Sequence, residues 1–183
     1  MEITDLLAPE AVLPNLKAQG KKQLLQDLAE RIAPLCGLPE RRIFETLIER
    51  ERLGSTGMGQ GIAIPHGRLA GLTRIVGMFA RLEAPISYDA VDNQPVDLVF
   101  LLLAPEGAGA DHLKALARVS RLLRNQQTCE KLRATKDAEV LYALLTEKTN
   151  GSANSQAACF SSQQNQRAGA ELRPFAFSLI AVC

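Results

Sequence analysis

The chain has 183 residues, 46% of them hydrophobic and 22% charged, with 21 Lys plus Arg against 20 Asp plus Glu. That size suits one soluble globular domain with at most a short appendage. A net charge of +1 excludes the clustered cations of a general nucleic-acid binder or a polybasic membrane-surface protein, and with 4% aromatic residues and no Trp the core must come from Leu, Ile, Val and Ala.

At the N-terminus, MEITDLLAPEAVL carries acidic residues where a secretory leader needs basic ones, and Pro14 interrupts its apolar run. The longest apolar stretch, Leu98 to Ala104, is too short to cross a bilayer. The expected protein is cytoplasmic, without membrane insertion. Leu24, Leu25, Leu28, Ile32 and Leu35 fall at helical spacing, so residues 21–35 read as an amphipathic helix that Pro34 helps to close. A second helix follows, with Pro39 in its first turn, Ile43, Phe44, Leu47 and Ile48 as its buried stripe, and Gly54 at its C-terminal cap.

Residues 55–61, STGMGQG, hold three glycines in five positions and read as a loop. The run Ile62-Ala63-Ile64 comes next, halted by Pro65, with His66 and Gly67 beyond it. Two strands are expected over Arg74 to Leu82 and Val96 to Ala104, the second apolar at nearly every position as in a strand covered on both faces. A short strand around Pro85 to Tyr88 precedes the Asp92-Asn93 turn. Asp111 suits the N-cap of a helix burying Leu113, Leu116, Leu122 and Leu123, and a last helix from near Asp137 uses Val140, Leu141, Leu144 and Leu145. Helices before and after buried strands predict an α/β fold, a three-layer sandwich with a mixed β-sheet between helices.

From Gly151 the chain turns rich in Ser, Gln, Asn and Ala, without apolar periodicity. Residues 1–150 therefore read as the folded domain and residues 151–183 as a polar, disordered extension. Arg167, Arg173 and Glu171 lie in the extension; removing two bases and one acid leaves 19 of each in the domain. The extension also takes Cys159 and Cys183, leaving Cys36 and Cys129, which without a CxxC read as reduced, packed thiols.

The chemistry falls on the two histidines. An arbitrary histidine in a turn is a surface residue, but His66 sits between Pro65 and Gly67 just after the glycine-rich segment, and His112 follows Gly109-Ala110-Asp111. A neutral imidazole on an approachable turn can attack a phosphoryl group. Arg50 could clamp phosphate oxygens, and Ser55 and Thr56 could donate hydrogen bonds to them. The bland alternative for Arg50 is a solvated helix end, because Glu49-Arg50-Glu51-Arg52 alternates in sign.

The eighteen residues from Arg50 to Gly67, RERLGSTGMGQGIAIPHG, closely resemble the active-site signature of the type 2, mannitol/fructose-type IIA domains of the bacterial phosphoenolpyruvate-dependent phosphotransferase system. The form GSTGMGQGIAIPHG is most similar to the nitrogen-regulatory branch, and the resemblance runs from about Ile3 to Lys148. It implies that His66 accepts phosphate on Nε2 from a phosphorylated HPr- or NPr-like carrier, as a phosphotransferase component forming a phosphohistidine intermediate. It implies active-site roles for His112, which with Asp111 and Leu113 matches the family's second histidine, and for Arg50. It also implies regulated partner proteins, potassium-transport components among them. The alternative is a sugar-type component that relays phosphate to a separate IIB protein. Neither a metal nor another cofactor is expected, since the donor is already a phosphohistidine.

Two rivals are weaker. Gly57-x-Gly59-x-Gly61 has the look of a dinucleotide-binding turn, but it follows a helix and precedes a strand, the reverse of that fingerprint. A two-histidine metal site finds only Asp111 as a further ligand.

Overall fold

The computed structural model describes residues 1–147; the expectations for residues 151–183 lie outside the described residues. A 3-10 turn at Ile3–Asp5 leads into β1 (Leu7–Leu16), α1 (Lys21–Cys36) and α2 (Glu40–Arg52). Three short strands follow, β2 (Gly57–Gly59), β3 (Ile62–Ala63) and β4 (His66–Leu69), then two long ones, β5 (Val76–Ile86) and β6 (Val96–Pro105). The order closes with α3 (Gly109–Leu123), α4 (Gln126–Ala134) and α5 (Ala138–Thr146).

The sheet runs β1-β5-β6-β3-β2, and β4 also pairs with β6. It is mixed, as expected: β5 and β6 are antiparallel, while β1 runs parallel to β5, and β3 and β4 run parallel to β6. The strand with the longest apolar run, β6, is central, and Val96 and all residues from Leu98 to Ala104 are buried. Each large apolar side chain removed from water there contributes about 1.5–3 kcal/mol. Helices α1 and α2 pack together and against β5 and β4; α3, α4 and α5 pack in succession and against β6 and β1, giving the helix-flanked sandwich.

Several local expectations are corrected. The N-terminal segment contains the ten-residue strand β1 despite Pro9 and Pro14. Both prolines are tolerated because β1 is an edge, hydrogen-bonded only to β5 among the described residues, so missing N–H groups break no second ladder. Part of the supposed glycine loop is strand β2, joined to β3 by a two-residue turn in which Gln60 and Gly61 both have positive φ, 56° and 78°, the conformation a tight type I′ hairpin needs. The strands expected over 74–82 and 85–88 are largely one element, β5, with a register shift between Arg81 and Ile86. Helix α1 runs two residues past Pro34, ending where Gly37 turns left-handed. Helix α3 begins at Gly109 rather than after Asp111, which sits in its first turn. Leu113 and Val140 are exposed, at 68% and 46%; Leu122, Leu123, Leu141 and Leu145 are buried as expected, and α3 also buries Ala115 and Val119. Helix α4 was not foreseen; it buries little beyond Cys129 and Leu132, and Asn125 caps it by accepting from Thr128 N. Arg133 of α4 pairs with Asp97 and donates to the Gln60 carbonyl, pinning the β2–β3 turn. Among the described residues Cys36 and Cys129 form no disulfide; they are half-buried and buried respectively.

Candidate functional site

His66 opens β4 and is fixed by backbone before its side chain is considered. The Pro65 carbonyl accepts from Leu102 N at 3.0 Å, and His66 stands in register with Leu102 of β6. Pro65 sets a rigid entry to the strand, and Gly67 permits the next step. A Cβ on Gly67 would lie 2.8 Å from Thr46 Cγ2, so its absence lets β4 press directly on α2. Thr46 and Arg50 are four residues apart, on one face of that helix. The close approach at Gly67 therefore brings Arg50 over His66.

Arg50 Nε donates to His66 Nε2 at 3.0 Å, and Arg50 Nη1 donates to the Gly54 carbonyl at 3.0 Å. On the other side of the ring, His66 Nδ1 lies 2.8 Å from the Ile64 carbonyl. A carbonyl can only accept, so Nδ1 carries the proton and Nε2 keeps its lone pair. Burial lowers the His66 pKa below its ordinary 6.5, opposed by the Ile64 carbonyl; the Arg50 cation lowers it further and the Glu51 charge opposes. The surroundings therefore favour the neutral ring, in which Nε2 is the unprotonated nitrogen.

His112, one turn into α3, stacks edge-on against His66 with ring centroids 5.7 Å apart and planes 64° from parallel. It is 8% exposed, and its Nε2 is buried with no hydrogen-bond partner among the described residues. Its pKa is lowered by burial first, then by His66 and Arg68. An unsatisfied buried nitrogen is costly; a phosphoryl oxygen is the kind of group that would satisfy it. So the structure brings His66, Arg50 and His112 together.

Ser55 and Thr56 lie beside this cluster, and in this structure both hydroxyl protons are engaged by protein partners. Ser55 Oγ donates to the Tyr88 carbonyl at 3.0 Å and accepts from Gly57 N. Thr56 Oγ1 donates to Glu51 Oε2 at 2.6 Å and accepts from the Tyr88 hydroxyl. A hydroxyl has one proton to give. These side chains shape the turn after α2.

The sequence reading missed Glu51, Lys21 and Tyr88. Glu51 accepts from Thr56 and from Lys21, and Lys21 also sits 4.9 Å from the Tyr88 ring centre. Burial pushes the Tyr88 phenol far above its usual range. No spacing rule pairs Lys21, Glu51 and Tyr88, which are distant in the chain. Among the described residues, no three His, Cys, Asp or Glu side chains group as metal ligands, and no helix is long and apolar enough to cross a membrane.

Comparison with known proteins gives this constellation a family. A nitrogen regulatory protein of Bradyrhizobium diazoefficiens is 61% identical over 145 residues, covering 79% of this chain and 95% of its own. One from Escherichia coli K12 is 42% identical over 148 residues, covering 80% and 91%. The crystal structure of the nitrogen regulatory protein IIA-Ntr from Neisseria meningitidis superposes with a TM-score of 0.75 at 37% identity, covering 79% of this chain and 99% of that one. The family model described as phosphoenolpyruvate-dependent sugar phosphotransferase system, EIIA 2, matches residues 5–148, and with the paired histidines and their arginine in place the chain belongs to that family.

Proposed function

We propose that the protein is a phosphoryl-accepting regulator of the nitrogen-type phosphotransferase system, phosphorylated on His66 Nε2 by an HPr- or NPr-like carrier and binding partner proteins according to that state. The observation carrying this reading is the polarity of the His66 ring: Nδ1–H is tied to Ile64, and the lone pair of Nε2 faces Arg50.

In the resting protein the Arg50 Nε–H occupies that lone pair. As the carrier's phosphohistidine approaches, the guanidinium turns its donors from Nε2 to the phosphoryl oxygens, which frees the nitrogen and neutralises the charge spread over the moving group. A bond forms between His66 Nε2 and phosphorus while the carrier's nitrogen–phosphorus bond breaks, its electron pair returning to the carrier's imidazole. The Ile64 carbonyl stabilises the positive charge that develops on the His66 ring. His112 Nε2, when protonated, donates to a phosphoryl oxygen. The product is a phosphoramidate that can be handed on. Ser55 and Thr56 act by holding the turn rather than by touching phosphate, and we assign the whole activity to residues 1–150 and none of it to residues 151–183.

The sugar-type alternative, relay to a separate IIB protein, is less supported, because the relatives of high identity carry the nitrogen-regulatory name. A phosphohistidine adds about two negative charges beside His112 and Arg50, enough to change which surface docks there. The test is incubation with labelled phosphoenolpyruvate, enzyme I and an HPr-type carrier. One acid-labile phosphate per chain is expected, absent from His66→Ala; retained labelling in that variant, still folded, overturns the assignment.

A further inference from the structure

Glu51 belongs to an alternating-charge run that ought to be solvated, yet its side chain is only 7% exposed. Thr56 N lies 3.2 and 3.1 Å from its two carboxylate oxygens, Thr56 Oγ1 is 2.6 Å from Oε2, and Lys21 Nζ is 3.1 Å from Oε1. Lys21 is in turn held by Asp89 at 2.8 Å, and the Tyr88 hydroxyl meets Thr56 Oγ1 at 3.1 Å. One buried carboxylate thus joins α1, α2, the turn after α2 and the segment after β5. Burying a carboxylate is unfavourable unless donors saturate it, and closing a surface turn does not by itself require one.

What the carboxylate achieves is visible one residue away. Its bonds to Thr56 tie the far end of the turn over residues 52–56 to the last turn of α2, where Leu53 N and Gly54 N also donate to the Arg50 and Glu51 carbonyls, each at 3.2 Å. The Gly54 carbonyl, in the middle of that turn, comes to lie 3.0 Å from Arg50 Nη1. The same guanidinium has its Nε 3.0 Å from His66 Nε2. Arg50 is therefore held at two points, His66 and a carbonyl, and that carbonyl belongs to the turn that the Glu51 carboxylate ties to the helix end.

We propose that Glu51 is a positioning residue for phosphoryl transfer: through Thr56 and the Gly54 carbonyl it fixes the plane of the Arg50 guanidinium against His66, without touching the phosphoryl group. This rests on the phosphoryl-acceptor reading of His66. It predicts that losing the carboxylate slows the chemical step and leaves carrier docking intact, because Arg50 keeps its charge but loses its orientation.

The experiment uses the full chain with Glu51→Gln and Thr56→Val, singly and together, and has two readouts. In transfer from the phosphorylated carrier, Glu51→Gln is expected to lower kcat about ten- to a hundred-fold, the cost of a misplacement on the order of 1 Å, with KM for the carrier within about two-fold. In the unphosphorylated protein, nitrogen-15 NMR of the Arg50 Nε–H should show slow solvent exchange in wild type and exchange at least about ten-fold faster in Glu51→Gln. Thr56→Val is expected to move both readouts the same way, and the double variant to be no slower than Glu51→Gln alone, since both cut one tether. A lowered melting temperature with kcat and Arg50 exchange unchanged would make Glu51 merely structural and overturn the inference. If Glu51→Gln fails to fold, Thr56→Val decides on the same two readouts. A wild type that takes no phosphate on His66 defeats the acceptor reading instead, and the NMR arm still decides whether Glu51 holds Arg50.

Discussion

Gly67→Ala tests how closely the strand carrying His66 must approach α2. The added Cβ would stand 2.8 Å from Thr46 Cγ2, whereas ordinary contact begins at 3.4 Å, so strand and helix must separate by at least the difference or Thr46 must rotate. Rotation is resisted, because Thr46 Oγ1 donates to the Arg42 carbonyl at 3.0 Å. Helix α2 is the more movable body, and Arg50 rides on it one turn beyond Thr46, so the displacement appears at the Arg50–His66 contact. A shift of several tenths of an ångström at a reacting group lowers the rate by about ten-fold or more. The assay is rapid-quench measurement of phosphoryl transfer from the phosphorylated carrier. Thr46→Ser supplies the control, since it deletes Cγ2 and keeps the hydroxyl. Thr46→Ser alone should transfer at the wild-type rate, and Gly67→Ala combined with Thr46→Ser should recover most of the loss. A folded Gly67→Ala that transfers at full rate, or a loss that Thr46→Ser does not relieve, refutes the reasoning.

For Arg50→Ala, the cation, the hydrogen bond to Nε2 and part of the burial all disappear, and each change raises the His66 pKa; transfer should nonetheless slow about 10²–10³-fold, or about 3–4 kcal/mol, and an unchanged rate or a lowered His66 pKa counts against the mechanism. His112→Ala should cost less, about ten-fold, as expected for one neutral donor, and equal rates would remove it from the site. Stability should also depend on pH. Both histidines have folded pKa values below 6.5, so the unfolded chain binds more protons, and stability is lost as pH falls from about 6.5 through the folded values, levelling beyond them. The melting temperature should therefore drop between about pH 7.5 and 5.5, less steeply in the His66→Ala, His112→Ala double variant; equal slopes would show that other groups dominate.

Where the sequence spoke clearly, it did so through local periodicity or a long signature. The apolar stripes of α1 and α2 and the continuous run of β6 needed no tertiary information, and RERLGSTGMGQGIAIPHG marked Arg50 and His66 together. Strand β1 was hidden because two prolines are usually breakers, and only its place at the sheet edge makes them harmless. Apolar spacing cannot tell a stripe's centre from its margin, so Leu113 reads as core although it is exposed beside buried His112. Ser55 and Thr56 are the right residue types for phosphate contact, but the partners that use their protons, Tyr88 and Glu51, become neighbours only in the folded chain.

The mounting of His66 has a consequence for how a partner would distinguish the two states. Its backbone is in ladder register with Leu102 of the buried central strand, and Pro65 just before it is bonded to that strand. A phosphoryl group added there meets a scaffold with little freedom to refold, so the molecule keeps its shape and changes its potential. A partner that discriminates by potential alone must come within about one Debye length, roughly 8 Å at physiological ionic strength. Its preference between the two forms then weakens as salt is added, even where the affinity supplied by apolar contact persists.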